Sequence, residues 1–207
     1  MNEPQEIEVK FYVRDLAKIE ERARELNAIL IQARIHETNL RYDTPQGELR
    51  AKGQVLRLRQ DDRARMTYKG TSKKQSGVMS RTEIEFVVED FERAKQLVEA
   101  LGYQTIVFYE KYRTIYTLNR THIMLDELPY GNFVEIEGED IPSIRNMTEK
   151  LGLRWEAAIE SSYHVLFERV ARPRKLDTSK LTFDAFKSGK PDFVELAVEE
   201  ADVFGGY

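Results

Sequence analysis

The stretch Glu6–Val13, "EIEVKFYV", alternates with a period of two, as a β-strand does. Glu6, Glu8 and Lys10 share one face, and Ile7, Val9 and Phe11 share the other. A half-solvated antiparallel strand commonly carries charge on its outer face. A charged face turned into a cavity that binds a charged ligand is the second reading, and the other strands decide between the two.

The same pattern recurs along the chain. Arg57 and Arg59 oppose Leu56 and Leu58. Lys69 follows Thr67 by two residues. Arg81, Glu83 and Glu85 oppose Thr82, Ile84 and Phe86. Lys111 and Arg113 share a face against Tyr112 and Thr114, Asp126 opposes Leu125, and Glu135 and Glu137 oppose Val134 and Ile136. Taken singly, each strand fits a solvated face. Taken together, the polar faces are nearly all ionic and the opposite faces are aliphatic or aromatic. That combination predicts helices packed outside and charge inside. Strands joined by hairpin signals predict antiparallel pairing, and closing about eight of them removes the exposed edges. The expected fold is α+β, a closed eight-stranded antiparallel β-barrel forming a tunnel, with helices on its outside.

The motif "EIE" occurs at Glu6–Glu8, Glu83–Glu85 and Glu135–Glu137, each time ahead of a segment with helical spacing. The apolar sets are Leu16, Ile19, Ala23 and Leu26, then Phe91, Ala94, Leu97, Val98 and Leu101, then Ile144, Met147, Thr148 and Leu151. Asn27, Gly102 and Gly152 suit left-handed positions at the helix ends. A further helix is expected over Glu156–Val170, with Ile159, Tyr163, Leu166 and Phe167 inward. "SKKQSG" reads as a polar loop. Residues 1–170 read as the tunnel domain, and residues 171–207 as a C-terminal appendage, packed outside it or partly disordered.

With 36 acidic and 32 basic residues and a net charge of -4, the chain is no polycation, which argues against a nucleic-acid partner. The absence of cysteine excludes disulfides and thiolate metal sites and fits a cytoplasmic protein. No signal peptide is expected from "MNEPQEIEV", and no apolar run reaches the roughly 18 residues of a membrane span. His36, His122 and His164 are isolated, and Ser161–Ser162 lacks a nearby base.

Seven cations facing one lumen, Lys10, Arg57, Arg59, Lys69, Arg81, Lys111 and Arg113, repel one another until a polyanion binds. Guanidinium forks match phosphate oxygens and lysines add point charge. The carboxylates of Glu6, Glu8, Glu83, Glu85, Asp126, Glu135 and Glu137 make sense beside phosphate when a hard divalent cation, Mg²⁺ or Mn²⁺, lies between them. A metal-bound triphosphate has the natural size.

Glu6-x-Glu8-x-Lys10, followed in order by "LRLR", "TYKG", "RTEIEF", "EKYR", "LDELPYGNFVEIEG" and "SSY", resembles the signature of the CYTH superfamily, the triphosphate tunnel metalloenzymes, over Glu6–Phe167. The resemblance implies an eight-stranded tunnel binding a small-molecule triphosphate with Mg²⁺ or Mn²⁺. It implies that the seven cations hold phosphates and that Glu6, Glu8, Glu135 and Glu137 hold metal with Asp126 near it. Lys10, Asp126, Lys111 and Arg113 are then the catalytic candidates, with Glu83 and Glu85 paired to lumen bases. The layout looks most like class IV adenylyl cyclases, which turn ATP into cyclic AMP and pyrophosphate. Triphosphatases and a non-catalytic nucleotide or polyphosphate binder are the alternatives, and a homodimer is compatible with all three. Only "MNEPQ" precedes Glu6, so a His-Phe element found ahead of this motif in the best-known cyclases is not expected here.

Overall fold

A computed structural model describes residues 5–75 and 78–202, with side chains over 7–72 and 80–202. The strands are β1 (Gln5–Val13), β2 (Ile29–Asp43), β3 (Val55–Gln60), β4 (Ala64–Lys69), β5 (Lys73–Gln75), β6 (Val78–Val88), β7 (Gln104–Leu118), β8 (Thr121–Leu128), β9 (Gly131–Glu137) and β10 (Lys180–Leu181). They form one sheet in the order β1-β9-β8-β7-β2-β3-β4-β6-β5, and β1 also pairs with β6. Eight strands therefore close into a hydrogen-bonded ring whose pairings are all antiparallel. Among the described strands, β10 is added in parallel, along β7. The two 15-residue strands β2 and β7 pair along most of their length with register shifts after Leu30, Gln32 and Arg41. Such irregularities increase local twist and bend, which lets long strands curl into a ring.

Alternation buries both faces of β1. Val9 and Phe11 lie in an outer apolar cluster with Val134, Ile136, Ile123 and Leu125. On this cluster sit α1 (Leu16–Glu25), through Ile19 and Ala23, and α4 (Ile141–Lys150), through Ile144 and Met147. The helix after the second "EIE", α3 (Phe91–Ala100), rests on Tyr42 and Leu58 through Val98. All three helices start on an aspartate cap, Asp15, Asp90 and Asp140, whose carboxylate accepts the backbone N–H three residues on. They end at Asn27, Gly102 and Gly152 with positive φ, the left-handed C-terminal geometry expected from the sequence. Leu97 and Leu101 depart from expectation: they are 61% and 67% exposed, because α3 meets β3 and β4 only along its Phe91–Ala94–Val98 edge.

"GELRAK" holds a single helical turn, α2 (Glu48–Ala51), and "YQTIVFYEKYRTIYTL" is one strand. Two local readings are corrected. The polar "SKKQSG" segment includes β5, paired with β6. The helix expected from Glu156 starts only at Tyr163, as α5 (Tyr163–Ala171). Ser162 caps it through its hydroxyl, Trp155–Ala157 forms a separate 3-10 turn, and the Ile159 N–H is drawn to the Lys10 carbonyl of β1. That extended crossing places α5 over one end of the ring.

A second apolar cluster fills that end. Leu128, Tyr130 and Phe133 from the β8–β9 hairpin meet Leu166, Phe167 and Val170 of α5. Leu181, Phe186 and Leu196, the last on α6 (Phe193–Leu196), complete it, so the described residues after 171 pack on the ring. None of the described helices is long and apolar enough to cross a membrane. Phe186 is 5% exposed, with its ring centroid 6.0 Å from that of Phe167. Phe186→Ala is expected to cost about 3 kcal/mol in denaturant unfolding; a change below about 0.5 kcal/mol would make the C-terminal segment dispensable to the fold.

Candidate functional site

Register carries the charged residues to one face, the inner face of the ring. Opposite residues in an antiparallel pair point the same way. Lys10 faces Glu135 and Glu8 faces Glu137 across β1–β9, Glu37 faces Lys111 across β2–β7, and Arg113 faces Asp126 across β7–β8. Arg41 faces Arg57 across β2–β3, Thr67 faces Glu85 and Lys69 faces Glu83 across β4–β6. Glu6 faces Arg81 across β1–β6, and the Glu6 side chain lies outside the described residues.

Two ionic clusters result. In the deeper one, Asp126 is fully buried and accepts from Arg113 Nε at 2.6 Å, Arg113 Nη2 at 2.5 Å, Lys111 Nζ at 3.1 Å and the Tyr163 hydroxyl at 2.9 Å. Arg113 also reaches Glu135, which bonds Lys10 Nζ at 2.9 Å. The Lys10 ammonium lies 4.5 Å from the Tyr163 ring centre, and that of Lys111 lies 5.5 Å from it. Glu8 approaches Lys10 at 3.9 Å and Arg81 at 3.6 Å. In the shallower cluster Glu85 receives Arg59 at 2.9 Å, Arg57 at 3.4 Å and the Thr67 hydroxyl at 2.7 Å. Lys69 pairs Glu83 at 3.0 Å.

Glu37 joins the clusters, lying 3.8 Å from both Lys111 Nζ and Arg59 Nη1. Burial opposes its charge, yet Lys111, Arg113, Arg59 and Arg57 hold its carboxyl down at about 2. Burial likewise opposes ionisation of Glu135, and Lys10, Arg113 and Lys111 hold it well below the carboxylate range. Lys10 is raised, because Glu135, Glu8 and Asp126 outweigh its desolvation. Desolvation, followed by the charges of Asp126 and Glu135, pushes the Tyr163 hydroxyl well above the usual tyrosine range, so it stays a donor to Asp126.

The ring thus gathers Lys10, Arg57, Arg59, Lys69, Arg81, Lys111, Arg113, Glu8, Glu83, Glu85, Asp126 and Glu135 into one ion-paired lining, with Glu137 beside Glu8 in register. Glu37, Asn39 and Arg41 were missed by sequence reading. The signal was present in "ETNLR", where the three alternate with Thr38 and Leu40. Among the isolated histidines, His36 pairs with Glu110 and His164 with Glu168. Ser161 accepts from Arg169, and neither serine takes part in the ionic lining.

Among the described residues no three acidic or imidazole groups converge to ligate a metal. Both Asp126 oxygens face cations. Glu8 and Glu137 are hard oxygen donors opposite one another, which suits a cation of the Mg²⁺ class, since such ions take one or two carboxylates and complete their shell with phosphate and water.

A model of the CYTH domain matches residues 4–153. A Methanocaldococcus jannaschii protein named "Putative adenylate cyclase" is 29% identical over 147 residues, 70% of this chain and 81% of that one. The structure of a Vibrio parahaemolyticus protein described as a "putative adenylate cyclase" superposes with a TM-score of 0.69 at 21% identity, covering 78% of this chain and 97% of its own. A Hippeastrum protein described as a "putative adenylyl cyclase" with "a dominant triphosphatase activity" gives 0.59 at 16% identity, covering 79% and 95%. At these identities the two structures establish a shared fold.

Lowering the pH through the Glu37 range tests the electrostatics. Its folded carboxyl titrates at about 2 against an ordinary 4.5, so the stabilisation is complete above about 4.5 and is lost as pH falls toward about 2. That difference corresponds to about 3 kcal/mol. Glu37→Gln is expected to flatten the acid limb of stability against pH by about one proton; an unchanged slope would remove Glu37 as the bridge between the clusters.

Proposed function

This chain belongs to the CYTH domain family, and from that premise we propose that it is a divalent-metal-dependent enzyme acting on a small-molecule triphosphate inside a tunnel formed by the ring. The observation that carries the reading is the ion-paired inner face. Arginines and lysines contributed by five of the eight ring strands point inward, held in place by carboxylates. A polyphosphate entering this lining exchanges carboxylate partners for phosphate oxygens, and the cations need little rearrangement because the paired acids have already fixed their rotamers.

Glu8, Glu135 and Glu137, together with Glu6, are the groups that would hold Mg²⁺ or Mn²⁺. Such an ion supplies Lewis-acid polarisation of a phosphoryl oxygen and neutralises developing charge. Arg113 and Lys111, oriented by Asp126, stabilise negative charge at the reacting phosphoryl group. Asp126 is a positioning residue here, since all of its described contacts are donors. Lys10, pinned between Glu135, Glu8 and the Tyr163 ring, binds a phosphate oxygen beside the acidic groups.

The first reading of the reaction is an adenylyl cyclase, in which the ribose 3′-oxygen attacks the α-phosphorus of ATP and pyrophosphate leaves. The names of the relatives support it. The second reading is a triphosphatase, in which water attacks the terminal phosphorus of inorganic triphosphate, thiamine triphosphate or a nucleoside triphosphate. The ionic lining favours it, because its partners match a phosphate chain rather than a base.

Incubation with Mg²⁺ or Mn²⁺ and each of ATP, thiamine triphosphate and inorganic triphosphate, with products identified by mass, separates the readings. Cyclic AMP with pyrophosphate establishes the cyclase; orthophosphate without a cyclic product establishes the triphosphatase. Glu8→Gln is expected to lower metal-dependent turnover by more than the about 10–100-fold that an outer-shell change costs, and turnover equal to wild type would remove Glu8 from the metal set.

A further inference from the structure

A neutral amide sits among the charges of the inner face. Asn39 lies on β2 between Glu37 and Arg41, fully buried, with Arg59 of β3 and Tyr109 of β7 opposite it in register. Its Nδ2 donates to Glu37 Oε1 at 2.9 Å. Glu37 titrates at about 2, so at neutral pH its oxygens only accept, and the amide is held with its nitrogen toward Glu37. Oδ1 is then the free atom of the amide. It is buried and accepts no hydrogen bond from any described residue. A buried acceptor left unmet is costly, so a fold that keeps one here gains from a donor brought in from outside.

That amide oxygen runs against the chemistry around it. A carbonyl oxygen cannot bond an ionised phosphate oxygen, because both accept. The neutral Thr67 hydroxyl on the same face has no such need: it donates to Glu85 at 2.7 Å and accepts from Arg57 at 3.2 Å. Tyr109 adds a second feature. Its half-buried ring packs against the aromatic cluster at the α5 end, and its hydroxyl is tied to Arg57. Asn39 therefore stands between a guanidinium on one neighbouring strand and an aromatic ring on the other. A ring face beside an open acceptor matches a carbon framework that carries a hydroxyl or amino group.

We propose that Asn39 and Tyr109 recognise a nucleoside joined to the triphosphate, with Asn39 Oδ1 accepting a hydrogen bond from one of its hydroxyl or amino groups and the Tyr109 ring packing on its carbon framework. The proposal rests on the triphosphate reading above and names its substrate class, a nucleoside triphosphate rather than the inorganic chain. A site built around a hydrogen bond rejects an analogue that lacks the donor, because the buried acceptor is then left unpaired. Specificity for the organic group thus comes from β2 and β7, separately from the cations that meet the phosphates.

Calorimetric titration without divalent metal tests it, with ATP, its 2′-deoxy and 3′-deoxy forms, inosine triphosphate and inorganic triphosphate as probes. Wild type is expected to bind ATP and to bind at least one of the three analogues about tenfold more weakly. A loss with a deoxy form places the donor on the ribose, and a loss with inosine triphosphate places it on the base amine. Asn39→Leu is expected to weaken ATP about tenfold, to abolish that discrimination and to leave inorganic triphosphate within about twofold. Tyr109→Leu, on another strand, is expected to weaken ATP several-fold with inorganic triphosphate again retained, and that retention shows that the ring is folded. A wild type that binds inorganic triphosphate but not ATP, or that binds all three analogues as it binds ATP, would overturn the recognition and leave the triphosphate reading standing. So would an Asn39→Leu protein in which ATP and inorganic triphosphate change equally or not at all. A wild type that binds none of the probes would overturn both.

Discussion

Charge placed inside a closed ring of strands is the constraint on which this structure depends. Each buried ion carries a desolvation cost of several kcal/mol, and the ring survives it only where partners are held in good geometry. The solution is concentrated on Asp126 and Glu135. Between them they receive Arg113, Lys111, Lys10 and the Tyr163 hydroxyl, drawn from β1, β7 and α5. Removing any one partner leaves Asp126 or Glu135 with fewer donors against the same desolvation cost, so the network ties the strands to the helix that covers their end.

Apolar packing does the complementary work outside. The residues between the charged ones, Val9, Phe11, Val134 and Ile136, are almost fully buried under α1 and α4. The period-two alternation that sends ions inward therefore sends the hydrophobic driving force outward. At the α5 end the rule changes: Tyr130 and Phe133 meet Phe167 and Phe186, and an aromatic cluster takes the place of charge. One end of the ring is thereby closed by apolar packing.

Much of this was legible in the chain. The inward faces of β1, β3, β4, β7, β8 and β9 and the three capped helices follow from alternation, cap residues and charge. Less legible was β2. Its Glu37, Asn39 and Arg41 sit in a long segment with three register shifts, where alternation is interrupted and the period is harder to follow. The helix start at Tyr163 was also misplaced, because a long-range bond from Ile159 to Lys10, together with the Ser162 cap, outweighs the local helical spacing from Glu156 onward.

The sequence by itself determined which side chains share a face, because a strand repeats every two residues whatever it pairs with. It also determined that these faces are ionic and the opposite ones apolar. Tertiary structure alone decided which charges answer one another. Arg113 joins Asp126 to Glu135, and Glu37 joins Lys111 to Arg59, whereas Arg41 is left opposite Arg57 with no carboxylate of its own. Pairing depends on register between strands far apart in the chain, and on the helix laid over their end, and neither is encoded in any local stretch.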